Sequence, residues 1–131
     1  MSCFWNSLIS SISKDDKIKY FDDHKIHLNP KNLVVILKNL DIKTPNIIWN
    51  SKDLTEKQMI ENYNAIKEYD INSIQSGYYC STFEPFLFLL AEYLEIDIFH
   101  NYNGNIMHYK NKNNSRYSIK IRSNLGHCWK E

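Results

Sequence analysis

A chain of 131 residues is the length of one domain, long enough to bury a core without disulfides or metal. Its 16 Lys and Arg nearly balance 15 Asp and Glu, and the net charge of +1 gives no reason to expect nucleic acid or a membrane surface as partner. No stretch approaches the run of ~20 apolar residues that spans a bilayer, and no basic-then-apolar leader opens the chain. The expectation is a single monomeric domain over residues 1–131, located in the cytoplasm.

The first half reads as helical. Phe4, Trp5, Leu8, Ile9 and Ile12 fall on one face of a helix that opens near Cys3. His24 and His27, near Asp22 and Asp23, read as a polar loop. Asn29-Pro30 is a helix start, an N-cap followed by proline at the first helical position, with Leu33, Val34, Ile36, Leu37 and Leu40 as its buried stripe. Thr55-Glu56-Lys57-Gln58 matches a capping box and leads into Met59, Ile60, Tyr63 and Ile66. A further helix is predicted from Thr82, with Pro85 in its first turn and Glu84 supporting its N-terminus. The apolar run from Phe86 to Ala91 makes it the central buried helix.

The second half changes period. Ile96 and Ile98 alternate with Asp97 and lead to Phe99, and Asn103-Gly104 is a hairpin signal. Strands are predicted at 106–109 and 117–121, separated by a hairpin loop at 110–115, with a last short strand opening at His127. Helices followed by an antiparallel meander give an α+β fold, a helical N-terminal half packed on a small antiparallel sheet. His100 and His108 are expected to face each other across the hairpin as a plain cross-strand pair.

Three cysteines, Cys3, Cys80 and Cys128, are an odd count with no CxxC spacing. They fit reduced thiols rather than a disulfide framework or a zinc site. The chemistry concentrates at the two ends. A thiol at the start of a helix meets unpaired N–H groups and a partial positive charge, which favour thiolate. An imidazole brought beside it would act as base and then as acid. Cys3 and His127 are the candidates; Gly126 lets an extended peptide approach the imidazole, and Trp129 shares the strand face of His127 and walls the cleft. Cys80 also sits near a helix start and is the rival nucleophile.

Three segments together resemble the ovarian-tumour (OTU) family of papain-like cysteine proteases, especially compact viral members. Cys3-Phe4-Trp5-Asn6-Ser7-Leu8 is similar to the family's cysteine followed by bulky apolar residues and a helix. Thr82-Phe83-Glu84-Pro85-Phe86-Leu87, running through Leu90-Ala91-Glu92-Tyr93-Leu94 to Phe99, resembles its Glu-containing helix and following strand. Gly126-His127-Cys128-Trp129 is similar to its closing histidine-aromatic strand. Residues 13–75 have no counterpart.

The resemblance implies a papain-like fold and a cysteine peptidase that cleaves after the Gly-Gly tail of ubiquitin or a ubiquitin-like protein. Cys3 would be the nucleophile, His127 the base, and Gly126 and Trp129 the lining of the substrate channel. No metal or organic cofactor is implied. Two departures stand out. Only Met1 and Ser2 precede Cys3, where the family has an Asp-Gly-rich stretch that helps form the oxyanion hole. The family's third polar residue falls at Trp129, leaving Asn124, Asn6 or Glu131 to orient the imidazole. These departures suit the alternative, a catalytically inactive binding module on the same fold, with Tyr78, Tyr79 and Trp49 as partner-facing aromatics. A third reading is an acyltransferase or deamidase using the same Cys–His chemistry.

Overall fold

The computed structural model describes residues 3–22, 27–74, 80–124 and 127–131; for Cys80, Ser81, Thr82 and His127 the description covers backbone only. Among the described residues, five α-helices and a six-stranded mixed sheet form an α+β fold. Helices α1 (Cys3–Ser11), α2 (Lys14–Phe21) and α3 (Pro30–Asn39) come first, followed by β1 (Ile47–Trp49), β2 (Lys52–Asp53) and α4 (Glu56–Glu68). A 3-10 turn at Ile71–Ser73 precedes α5 (Cys80–Leu94), then β3 (Asp97–Tyr102), β4 (Asn105–Asn111), β5 (Ser118–Asn124) and β6 (His127–Lys130).

The helix starts follow their caps. The Asn29 side chain accepts from the Asn32 N–H at 2.9 Å, with Pro30 at the first helical position. Thr55 and Gln58 satisfy each other's backbone N–H groups in a reciprocal box. Helix α2 was not apparent in the sequence. Ser13 caps it by accepting from the Asp16 N–H, but only Asp16 and Phe21 on it are buried, so it carries no apolar stripe to read.

Helix α5 is the core element. Phe83, Phe86, Leu87, Phe88, Leu89, Leu90, Ala91 and Leu94 are all buried, because α3 and α4 pack on it from one side and the sheet from the other. It begins two residues earlier than Thr82, so Pro85 lies inside the helix rather than in its first turn. The ring there removes one interior hydrogen bond.

The sheet order is β2-β1-β4-β3-β5-β6. The β3–β4 hairpin closes on Asn103 (φ 49°) and Gly104 (φ 93°), both in the left-handed region that a two-residue primed turn requires. A second hairpin, β1–β2, turns on Asn50 (φ 48°) and Ser51 (φ 72°) and was not anticipated.

The sheet is not antiparallel throughout, because β5 pairs in parallel with β3. Residues 112–117 therefore form a crossover past the start of β3 instead of a hairpin loop between β4 and β5. Asp97 N–H donates to the Ser115 hydroxyl at 2.9 Å and to the Tyr117 carbonyl, and Arg116 N–H donates to the Glu95 carbonyl, which ties the crossover to the end of α5.

Alternation separates the two faces of the sheet. Along β5, Ile119, Ile121 and Ser123 are buried while Ser118, Lys120, Arg122 and Asn124 are exposed. Helices α1 and α5 pack against the sheet, α1 on β5 and β6 and α5 on β1, β3 and β4. Among the described residues, no helix is long and apolar enough to cross a membrane.

Candidate functional site

Cys3 is the first residue of α1 and is partly buried against the core. The residues after it anchor the helix. Phe4 stacks on Phe83 at 4.5 Å between ring centroids, and the Trp5 indole N–H donates to the Tyr69 hydroxyl. The Cys3 carbonyl accepts from the Ser7 hydroxyl at 2.7 Å. This packing fixes where the helix begins and hence where the thiol stands.

Helix α1 lies against β6, whose first residue is His127. The last residue of that strand, Lys130, reaches the Ser10 carbonyl near the end of α1 at 3.2 Å. The His127 backbone pairs with Asn124. Its side chain, Gly126, Tyr78, Tyr79, His24 and the Cys80 thiol lie outside the described residues.

The remaining predicted residues separate. Asn6 is on the exposed side of α1 and lines a cleft of about 480 Å³ with Asn29, Lys31 and Asn72. Asn124 and Trp129 come together in a different cleft, of about 330 Å³, with Asn101, Asn103 and Arg122. By register, Trp129 stands opposite Arg122 and Asn101, on the sheet face turned away from the helices, whereas Cys128 is buried opposite Ser123 on the helix side. Glu131 accepts from the Arg122 guanidinium at 2.8 Å, about four strand residues or ~13 Å beyond His127.

Four local pairs or networks among the other titratable side chains were not legible in the sequence. His100 and His108 do not face each other. The register sets His100 beside Met107 and His108 beside Phe99, so the two imidazoles occupy opposite faces. His100 is fully buried, with Nε2 2.6 Å from the Ser123 hydroxyl, and burial pushes its pKa down to about 4. His108 is half-exposed, stacks on Phe99 at 4.2 Å and shares a 2.9 Å hydrogen bond with the Asp97 carboxylate. Burial would raise the Asp97 carboxyl, but the Asn111 N–H and the His108 imidazole outweigh it and hold it below its ordinary value.

Glu84 points to the sheet instead of serving its own helix start. It accepts from the buried Tyr109 hydroxyl at 2.8 Å, and burial raises its pKa in spite of that bond. Asp16 takes both Arg116 Nη groups, at 3.1 and 2.8 Å, and the Tyr117 hydroxyl at 2.6 Å. Burial opposes the Asp16 charge, yet these bonds keep its carboxyl below the usual range. Arg116 Nε also donates to the Leu94 carbonyl at 3.0 Å, so this network closes the C-terminus of α5. Among the described residues, no group of three His, Cys, Asp or Glu could hold a metal ion.

Comparison with protein-family models, curated proteins and solved structures gave no match. The functional reading therefore rests on the chain's own residues and geometry. A primed hairpin turn at Asn103-Gly104 fixes the register of β3 against β4, so the Phe99–His108 contact follows from a visible sequence signal. The Asp16–Arg116 contact, one hundred positions apart, has no such signal.

Proposed function

We propose that the chain is a cysteine peptidase of the OTU-like kind, acting on the Gly-Gly tail of ubiquitin or a ubiquitin-like protein in the cytoplasm, and of host cytoplasm if the chain is viral. The observation that carries this reading is the packing of α1, which opens at Cys3, along β6, which opens at His127, with Lys130 on Ser10 near their far ends. That alignment supports a common end for the two opening residues, while the backbone pairing of His127 with Asn124 puts position 127 in the alternation of Trp129, which faces away from α1. A thiol at a helix N-terminus is in a setting that favours nucleophilic chemistry.

In the proposed reaction the Cys3 sulfur attacks the carbonyl carbon after the second glycine while His127 takes the thiol proton. The C–N bond then breaks, the amine leaves with the proton from His127, and a thioester remains. Water, deprotonated by His127, attacks the thioester, releasing the glycine carboxylate and restoring the thiol. The Cys3 N–H would be one donor to the developing oxyanion. No metal or organic cofactor enters these steps.

A specific observation favours the second reading, a non-catalytic binding module. Asn124 and Trp129 open onto the sheet face away from α1, and Asn6 opens into the other cleft. Of the residues proposed to orient the base and line the channel, Asn6 alone shares α1 with Cys3, while Asn124 and Trp129 lie on the other side of the sheet.

The deciding experiment is labelling by a ubiquitin probe with a C-terminal thiol-reactive warhead, applied to wild type, Cys3→Ala, Cys80→Ala and His127→Ala. The peptidase reading expects labelling that survives Cys80→Ala and disappears in Cys3→Ala. Folded wild type that does not label supports the binding module. Labelling that follows Cys80 moves the nucleophile to α5.

A further inference from the structure

We infer that the cleft between α1, the start of α3 and the 3-10 turn receives the Gly-Gly tail of ubiquitin, and that Asn6 and Asn72 bind its main chain. The inference rests on the peptidase reading for its ligand. It moves the substrate channel away from Gly126 and Trp129.

Position singles out this cleft. Asn6 lines it together with Asn29, Pro30 and Lys31 of the α3 start and Ile71 and Asn72 of the 3-10 turn, around a volume of about 480 Å³. Cys3 and Asn6 are three residues apart on α1, a spacing that sets Cβ atoms about 5–6 Å from each other. The cleft therefore comes within one helical neighbour of the thiol. The cleft of Asn124 and Trp129 opens on the sheet face away from α1 and has no such link to Cys3.

Hydrogen-bonding chemistry selects the occupant. A pair of glycines has no side chains, so a site that recognises it must bind peptide N–H and C=O groups. A carboxamide mirrors a peptide bond, with a carbonyl acceptor and two N–H donors. Three carboxamides, from Asn6, Asn29 and Asn72, line this one cleft. Asn29 spends its oxygen on the Asn32 N–H and keeps its NH2 as a donor. Asn72 is exposed; its backbone N–H donates to the Asp70 carboxylate, while its carboxamide makes no hydrogen bond among the described residues. Pro30 and the part-buried Ile71 add an apolar wall for the residue before the glycines. The Lys31 charge is opposed by Asp70 at the start of the 3-10 turn, so the cleft suits a neutral segment and not a charged one.

The test is a double-mutant cycle on the full chain carrying Cys3→Ala, which prevents turnover. Fluorescence anisotropy measures the affinity of labelled ubiquitin, with and without its two terminal glycines, for this chain and for its Asn72→Trp form, in which an indole fills the cleft. Removing the glycines should weaken binding about 10-fold against the intact cleft and under about 2-fold against Asn72→Trp. Asn6→Ala should shrink the glycine effect in the same direction. Asn103→Gly, in the other cleft and compatible with its left-handed turn, should keep the full effect. Circular dichroism checks that each variant is folded. Ubiquitin that does not bind the folded chain, glycines whose removal changes nothing, or an equal glycine effect in Asn72→Trp overturns the inference. The thiol-reactive probe separates this result from the peptidase reading. Coupling between Asn72 and the glycines, with no labelling of Cys3 in wild type, keeps the cleft as the tail site of a binding module and removes the chemistry.

Discussion

The two faces of the sheet are built from the same strands and obey opposite rules. On the helix side Ile98, Ile119, Ile121 and Tyr109 are at most 1% exposed, and the polar side chains His100, Ser123 and Asn111 among them each make a hydrogen bond. On the open side Ile106, Phe99 and Trp129 alternate with cations, and solvent reaches them all. The covered face is organised for stability and tolerates little. The open face contributes less to stability. Neighbouring residues in one strand can therefore differ sharply in what their loss costs.

The sharpest form of that contrast is a pair of adjacent substitutions in β3. Ile98→Ala removes a fully buried side chain under α5 and should cost about 3–4 kcal/mol. Phe99→Ala, one residue on but facing outward, removes a larger side chain yet should cost less, about 2 kcal/mol, because the ring is part-exposed and its loss leaves no sealed cavity. Urea denaturation of both variants measures this. Equal losses would mean that the open face is covered in solution.

Acid attacks the covered face through His100. Its folded pKa of about 4 lies below the unfolded value near 6.5. Between these values the unfolded chain binds more protons, so stability is complete above about pH 6.5 and is lost as pH falls toward 4. From pH 7 to 4.5 the loss assigned to this one group is about 2–3 kcal/mol. His100→Gln, which keeps a partner for Ser123, should flatten that part of the pH profile.

Asp16→Asn is next in size. It weakens the bidentate contact to Arg116 and leaves that guanidinium beside the end of α5 with a poorer partner. A cost of about 2 kcal/mol is expected, less than for a fully buried pair because Arg116 is 39% exposed. The folded Asp16 pKa is depressed, so this contribution is present above the unfolded carboxylate pKa and fades as pH falls through the folded one. The variant and wild type should converge in acid.

How much of this was legible follows from how local each signal is. Caps and turns act over two to four residues, so Asn29-Pro30, Thr55 to Gln58 and Asn103-Gly104 announced α3, α4 and the β3–β4 hairpin. The Asn50-Ser51 turn uses the same left-handed geometry without glycine and was silent. Helix α2 was silent because it is held by one buried carboxylate, not by an apolar stripe. Which strands pair is decided by tertiary contacts, so the crossover that makes β3 and β5 parallel could not be read from residues 110–115. At the candidate site the sequence marked the two ends, Cys3 and His127, but not the elements that pack beside them.

The smallest effect has the opposite sign and tests whether the covered face is optimal. Burial raises the Glu84 carboxyl, partly offset by the Tyr109 hydroxyl, so the folded state favours its protonated form. Stability then falls as pH rises through the unfolded carboxylate pKa and levels off above the folded one. At neutral pH this single charge works against the fold. Glu84→Gln keeps an acceptor for Tyr109 and removes the charge, and should raise neutral-pH stability by up to about 1 kcal/mol, with less gain in acid. A thermal melt at pH 7 and at pH 4 reads the sign. A loss at pH 7 would mean that the Glu84 carboxylate is stabilised by more than the Tyr109 hydroxyl, so that its charge supports the fold.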